Sequence, residues 1–218
     1  MLYILFICTA VPMALMLFLL EKKPRITMLY MLIGQIVCLL AAQLNYLIRD
    51  GIYTSEYNVY MVTVTVTPIV EEILKAIPVI YYGFVISNKK ENLLNVAMAL
   101  GIGFAILENL SILVADAESV SIAWALVRGF SSALLHGICT SLVGYGVSYV
   151  KTRKKLFYTG TFALLTMAII IHGLFNAFIQ SDYGFIGIML PIIIYAPFVI
   201  TRIVKSSGRT KAYSKLSR

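Results

Sequence analysis

The chain has 218 residues, of which 60% are hydrophobic and only 13% are charged, and its mean hydropathy is +0.89. This composition excludes an ordinary soluble domain and predicts an integral membrane protein. The net charge of +8 is spread over short loops and the C-terminal segment. Such a distribution favours anionic lipid headgroups at the cytoplasmic face as partners and argues against nucleic acid.

Seven apolar runs are long enough to cross a bilayer, whose hydrocarbon core of about 30 Å needs about 20 helical residues. In chain order the runs cover residues 1–20, 27–48, 60–86, 93–115, 121–150, 157–179 and 185–204. The loops between them are too short to hold a second domain. We therefore predict an all-α, polytopic membrane protein with a single transmembrane domain, 1–204, and a basic cytoplasmic tail, 205–218.

The basic residues predict the orientation of the chain. The loops at 21–25, 87–90 and 151–155 and the C-terminal segment are rich in Lys and Arg, and they alternate with loops that carry mainly acidic residues. Basic loops stay on the cytoplasmic side of a membrane. The N-terminus is therefore predicted to lie outside and the C-terminus inside.

Several ionisable side chains fall within the apolar runs: Glu71, Glu72, Lys75, Glu108, His136 and His172, with Arg128 nearer to a rim. Charged groups in hydrocarbon cost several kcal/mol each, so they usually face the bundle interior, pair with one another and mark function. On a helix, Lys75 is within reach of both Glu71 and Glu72. We expect it to neutralise one carboxylate while the other faces the bundle centre.

Helical spacing predicts that these groups meet. Small residues at positions 97, 101 and 105 let another helix approach the helix that carries Glu108. A polar stripe at 128, 132, 136 and 140 includes His136. At about 1.5 Å per residue, Glu71 lies about 16 Å from the outer end of its run, and Glu108 and His172 lie about 10 Å from theirs. All are expected in one layer, in the outer half of the membrane.

Buried carboxylates and imidazoles suit hydrolysis, because a glutamate can act as a general base toward water and a histidine can stabilise an oxyanion. The same groups can hold Zn²⁺ or another divalent metal. His136, His172 and Glu108 are the candidate ligands if a metal is bound. The sequence contains no His-Glu-x-x-His motif, so it leaves metal-dependent and metal-free mechanisms open.

Four segments, in order, resemble the motifs of the PrsW family of intramembrane proteases, distant relatives of CAAX prenyl endopeptidases and bacteriocin-processing membrane proteins. They are Glu71-Glu72-x-x-Lys75, Gly103-Phe104-Ala105-x-x-Glu108-Asn109, Arg128 eight residues before His136, and His172-Gly173-x-x-Asn176, within residues 66–178. The resemblance implies a multi-pass protease of the bacterial cell membrane. Its substrate would be a membrane-anchored protein such as an anti-sigma factor, cut near the extracytoplasmic side.

The resemblance also implies roles for individual residues. Glu71, Glu72, Glu108, His136 and His172 would be catalytic, and Lys75, Asn109, Arg128 and Asn176 would support them. Two other functions remain open from the sequence. A non-catalytic membrane scaffold subunit would not depend on the glutamates, and a proton-coupled transporter would need a polar path to both faces.

Overall fold

The computed structural model describes residues 11–12, 24–52, 59–115, 120–150 and 153–216. In chain order the elements are α1 (Pro24–Ile52), α2 (Val59–Tyr81), a π-helical turn (Tyr82–Ile86), α3 (Lys90–Ala115), α4 (Ile122–Val147), α5 (Lys154–Ile179) and α6 (Gly184–Leu216). Every regular element of these ranges is helical, which confirms the all-α prediction. The first predicted span, 1–20, lies outside the described residues except for residues 11 and 12, so seven spans and the orientation stay predictions.

Five of the described helices are long and apolar enough to cross a membrane. These segments are Arg25–Gly51, Lys90–Ala115, Ile122–Val147, Lys154–Ile179 and Gly184–Thr201. The helix α2 is also long, but it carries Glu71, Glu72 and Lys75 and so falls outside this apolar group. The predicted spans agree with the helices within a few residues. The main difference is at α6, whose backbone stays helical through most of the predicted tail.

The helix α3 lies at the centre of the bundle, with α1 on one side and α4 on the other. Two of its glycines explain how closely these neighbours approach. A methyl group at Gly101 would overlap the carbonyl oxygen of His136 on α4, and one at Gly103 would overlap that of Met31 on α1. The backbone of α3 is therefore in direct contact with those of both neighbours. The contact at Gly101 is the close approach that the row of small residues at 97, 101 and 105 predicted, whereas Gly103 lies outside that row.

An apolar core fills the end of the bundle where α3 begins. It includes Ala76 and Val79 of α2, Leu93, Val96 and Leu100 of α3, and Val143 and Val147 of α4. Since lipid is as apolar as these side chains, their close packing stabilises the bundle more than their removal from water does. The polar residues predicted to be functional lie further toward the opposite end, on these three helices and on α5.

Candidate active site

The two adjacent glutamates of α2 have different neighbours, because successive helical residues point about 100° apart. Glu72 is fully buried, and its Oε1 atom accepts hydrogen bonds from Lys75 Nζ at 2.6 Å and from His172 Nδ1 at 2.8 Å. Glu71 is also buried, but its Oε2 atom lies 3.8 Å from His172 Nε2, which is too far for a hydrogen bond. Lys75 thus pairs with Glu72.

Lys75 links the Glu72–His172 pair to His136. Its Nζ atom lies 2.9 Å from His136 Nδ1 and 4.6 Å from the centre of the Phe104 ring. Because an ammonium group can only donate, we assign Nδ1 as the acceptor and place the hydrogen of His136 on Nε2. Sequence reasoning gave Phe104 no role, although its place between Gly103 and Glu108 in a recognised motif was a signal.

Glu108 lies at the more open edge of the cluster, with its side chain 23% exposed. Its Oε2 atom accepts hydrogen bonds from His136 Nε2 at 2.9 Å and from the Ser132 hydroxyl at 3.4 Å. The other oxygen, Oε1, is 3.9 Å from Arg128 Nη2. The predicted polar stripe of α4 therefore meets α3 at Glu108. Thr140, further along the stripe, donates to the carbonyl of His136 on its own helix.

The two asparagines expected to support the site connect helices at its margin. Asn109 is fully buried, and its Nδ2 atom donates to the carbonyl of Arg128 at 3.5 Å. Asn176 Nδ2 donates to the carbonyl of Thr63 at 3.0 Å. These bonds fasten α3 to α4 and α5 to α2. Neither bond is made to a glutamate or histidine side chain of the cluster.

Glu71, His136 and His172 form a group that could hold a metal ion. The histidine rings lie edge to face with centres 4.8 Å apart, and one ligand atom from each of the three residues lies within 4.8 Å of the others. The sequence-based set named Glu108 as the carboxylate. In the structure the carboxylate of this group is Glu71, and Glu108 lies beside His136.

The donor set fits a divalent cation. Two imidazole nitrogens and one carboxylate oxygen are ligands that zinc accepts. Within the described part of the chain, Glu71 Oε2 is a buried oxygen with no hydrogen-bond partner. In addition, Glu72 binds Nδ1 of His172 and Glu108 binds Nε2 of His136, and such carboxylate–histidine pairs commonly orient metal ligands. Nδ1 is then the nitrogen of His136 left for a cation, and Lys75 Nζ, which lies 2.9 Å from it, would have to move aside when a cation binds. The cluster also has three acidic side chains against Lys75 and Arg128, an excess that favours a cation.

Comparison with known proteins supplies the identity of the family. No curated protein and no solved structure matches the chain. The family model described as PrsW family intramembrane metalloprotease matches residues 22–201, which include every residue of the cluster and extend beyond the segment that carried the motifs. The protein is therefore a multi-pass membrane protease, and its chain belongs to the PrsW family of intramembrane metalloproteases.

Proposed function

We propose that the protein is an endopeptidase that hydrolyses a peptide bond of a membrane-anchored protein at the level of the membrane. The observation that carries this proposal is a cluster built by four helices. It consists of Glu71, Glu72, Glu108, His136 and His172 in an otherwise apolar bundle. Buried charges of this kind are costly, and a hydrolytic site gives each of them a role.

Glu71, His136 and His172 are the residues that would hold a divalent cation. A cation held there would polarise the scissile carbonyl as a Lewis acid and make water a better nucleophile. Glu72 accepts the Nδ1 hydrogen of His172 and so fixes the ring with Nε2 directed toward Glu71. Lys75 balances the charge of Glu72 through their 2.6 Å ion pair.

Glu108 is the general base of this mechanism. Its side chain is 23% exposed, against 6% for Glu71 and 0% for Glu72, so water reaches it most readily. It takes a proton as the water oxygen attacks the scissile carbonyl carbon. It then gives that proton to the leaving amine nitrogen as the C–N bond breaks. Arg128 faces the same carboxylate and stabilises the developing oxyanion.

The proposed site lies in the extracytoplasmic half of a bacterial cell membrane. Glu108 is near the end of α3, far from the basic loop at 87–90 that precedes this helix, and basic loops mark the cytoplasmic face. A membrane-anchored regulator, such as an anti-sigma factor, has the topology that this location requires. A membrane-bound peptide precursor has the same topology and is the second substrate candidate.

The experiment compares wild type, Glu108→Gln and Glu91→Gln in nanodiscs against a panel of single-pass proteins. Glu91 is an exposed glutamate at the start of α3 and serves as the matched control. Wild type and Glu91→Gln should cleave the same panel member. Glu108→Gln should lower the rate by about 10²–10⁴-fold, the usual contribution of a general base, with unchanged folding. A chelator should stop cleavage, and added Zn²⁺ should restore it.

Two results would contradict the proposal. Cleavage by Glu108→Gln at the wild-type rate would remove Glu108 from the role of base. A folded, Zn²⁺-loaded wild type that cleaves no member of the panel, and instead copurifies with a stoichiometric partner, would favour the scaffold function.

A further inference from the structure

A groove runs between α1 and α2 at the end of the bundle remote from the apolar core. Its outer part has a volume of about 460 Å³ and is lined by Tyr46, Arg49, Asp50 and Val59. Its inner part, of about 270 Å³, is also lined by Tyr46 and Arg49 and reaches Thr67. The two parts share Tyr46 and Arg49, so they lie next to each other along α1, and we describe them together as one groove.

The inner end of the groove lies one helical turn from the candidate active site. Thr63, Thr67 and Glu71 follow one another at intervals of four residues, so they lie on one face of α2. Four residues advance a helix by about 6 Å. Thr67, which lines the inner part, is therefore one turn from Glu71. Glu71, whose side chain is 6% exposed, is the next residue along this face.

The lining of the groove suits a peptide backbone better than a lipid chain. Asn45 Oδ1 is a buried atom without a hydrogen-bond partner among the described residues, and it lies in the inner part. An unsatisfied buried acceptor destabilises the protein, so it favours a ligand that brings an N–H group. Arg49 and Asp50 add a donor and an acceptor at the rim. A lipid tail has no donor or acceptor that could bond to these groups.

An intact transmembrane helix does not need them either, because its backbone groups bond to one another. A locally unwound segment exposes its N–H and C=O groups and must find partners for them at this depth. We propose that the groove between α1 and α2 receives an unwound, extended stretch of the substrate's membrane-spanning segment and delivers one peptide bond to Glu71. This inference rests on the proposed function.

The length of the groove defines the substrate further. Val59 at the rim and Glu71 are about 18 Å apart along α2 at about 1.5 Å per residue. An extended chain covers that distance in about five or six residues at about 3.3 Å each. The substrate class is therefore a single-pass protein whose span unwinds readily near one end, for example through Gly or Pro, with the cut about five or six residues inside that end.

Photo-crosslinking tests the groove without requiring turnover. The photoreactive residue p-benzoylphenylalanine replaces Tyr46, which lines the groove, or Leu47, which is 64% exposed on another face of α1. Both variants carry Glu108→Gln to prevent cleavage and are combined with the single-pass panel in nanodiscs. The variant with the photoreactive residue at position 46 should form at least about tenfold more adduct with a panel protein than the variant with it at position 47. This ratio corresponds to a difference of about 1.4 kcal/mol in binding free energy.

A second pair of variants tests whether the groove is the route to the site. Ala42→Trp fills the inner part, and Leu40→Trp adds the same bulk on a face that is 56% exposed. Ala42→Trp should lower kcat/KM for the cleaved protein at least about tenfold, equivalent to about 1.4 kcal/mol. The melting temperature and bound Zn²⁺ should stay at the values of Leu40→Trp.

The outcomes separate this inference from the proposed function. Adducts at position 46 without cleavage by wild type would support the groove and count against the protease mechanism. Cleavage that Ala42→Trp does not slow, or adducts equal at positions 46 and 47, would overturn the groove and leave the protease mechanism standing. Adducts at position 46 only with lipid, or only with a second copy of the chain, would also overturn it.

Discussion

The two ends of the bundle use the same helices for different purposes. At one end α2, α3 and α4 meet through apolar side chains such as Val79, Leu93 and Val147. At the other end the same helices meet through ion pairs and hydrogen bonds, including those of Lys75 with His136 and of Glu108 with His136. Close packing of apolar side chains holds the helices in position at one end of the bundle. The charged side chains at the other end are thereby kept at defined distances from one another, in spite of the cost of burying them.

The largest effect on stability is expected when the buried ion pair between Lys75 and Glu72 is broken. Lys75→Met removes the ammonium group and leaves Glu72 buried without its cation. Breaking a buried ion pair from one side costs about 3–5 kcal/mol of the free energy of unfolding. Denaturant unfolding in detergent measures this loss. Lys89→Met, at an exposed position before α3, should change it little, and equal stability of the two variants would show that the pair does not hold the polar end together.

A smaller effect is expected on metal binding when the partner of a histidine is changed. Glu72→Gln keeps the shape of the side chain but weakens the bond that orients His172. Loss of such a partner typically lowers metal affinity about 10–100-fold. Titration of chelator-treated protein with Zn²⁺ measures the Kd, with Glu91→Gln as control. An unchanged Kd would mean that His172 does not bind the metal or does not need Glu72 to do so.

The smallest effect is expected where the apolar packing borders the polar end. Gly101→Ala places a methyl group against the carbonyl of His136, so α3 and α4 must separate slightly. Such overpacking costs about 1–3 kcal/mol of unfolding free energy, and it should also displace His136. Gly51→Ala is the control, because a methyl group there meets nothing within 4 Å. If the two variants melt alike, the close approach of α3 and α4 is not essential.

Much of the fold could be predicted because the length of an apolar run determines whether a helix spans a bilayer. The boundaries of α3, predicted as 93–115 and observed as Lys90–Ala115, illustrate this. The face of each helix that carries polar residues also follows from helical period. Residues such as His136 and His172 could therefore be expected to meet, and in the structure their rings lie 4.8 Å apart.

The contacts between helices were harder to predict, because period fixes a face within one helix but not the rotation of that helix against its neighbours. Lys75 could reach Glu71 or Glu72 by spacing alone, and the position of His172 beside Glu72 is a tertiary feature. The grouping of Glu71 with the histidines depends on the same packing. Asn45 gave a weak signal as a polar residue in an apolar run, but its groove exists only between two helices.

The contacts at Gly101 and Gly103 have a consequence for how the enzyme opens. The backbones of α1, α3 and α4 are so close at these glycines that the helices cannot slide past one another without first separating. Widening of the groove would then require α2 to move away from α1 together with α5, because the Asn176–Thr63 bond and the close approach of Gly173 to the carbonyl of Val64 fasten these two helices to each other. A latch between α1 and α2 at the rim would hold such an enzyme shut while every acid, base and metal ligand stayed in place.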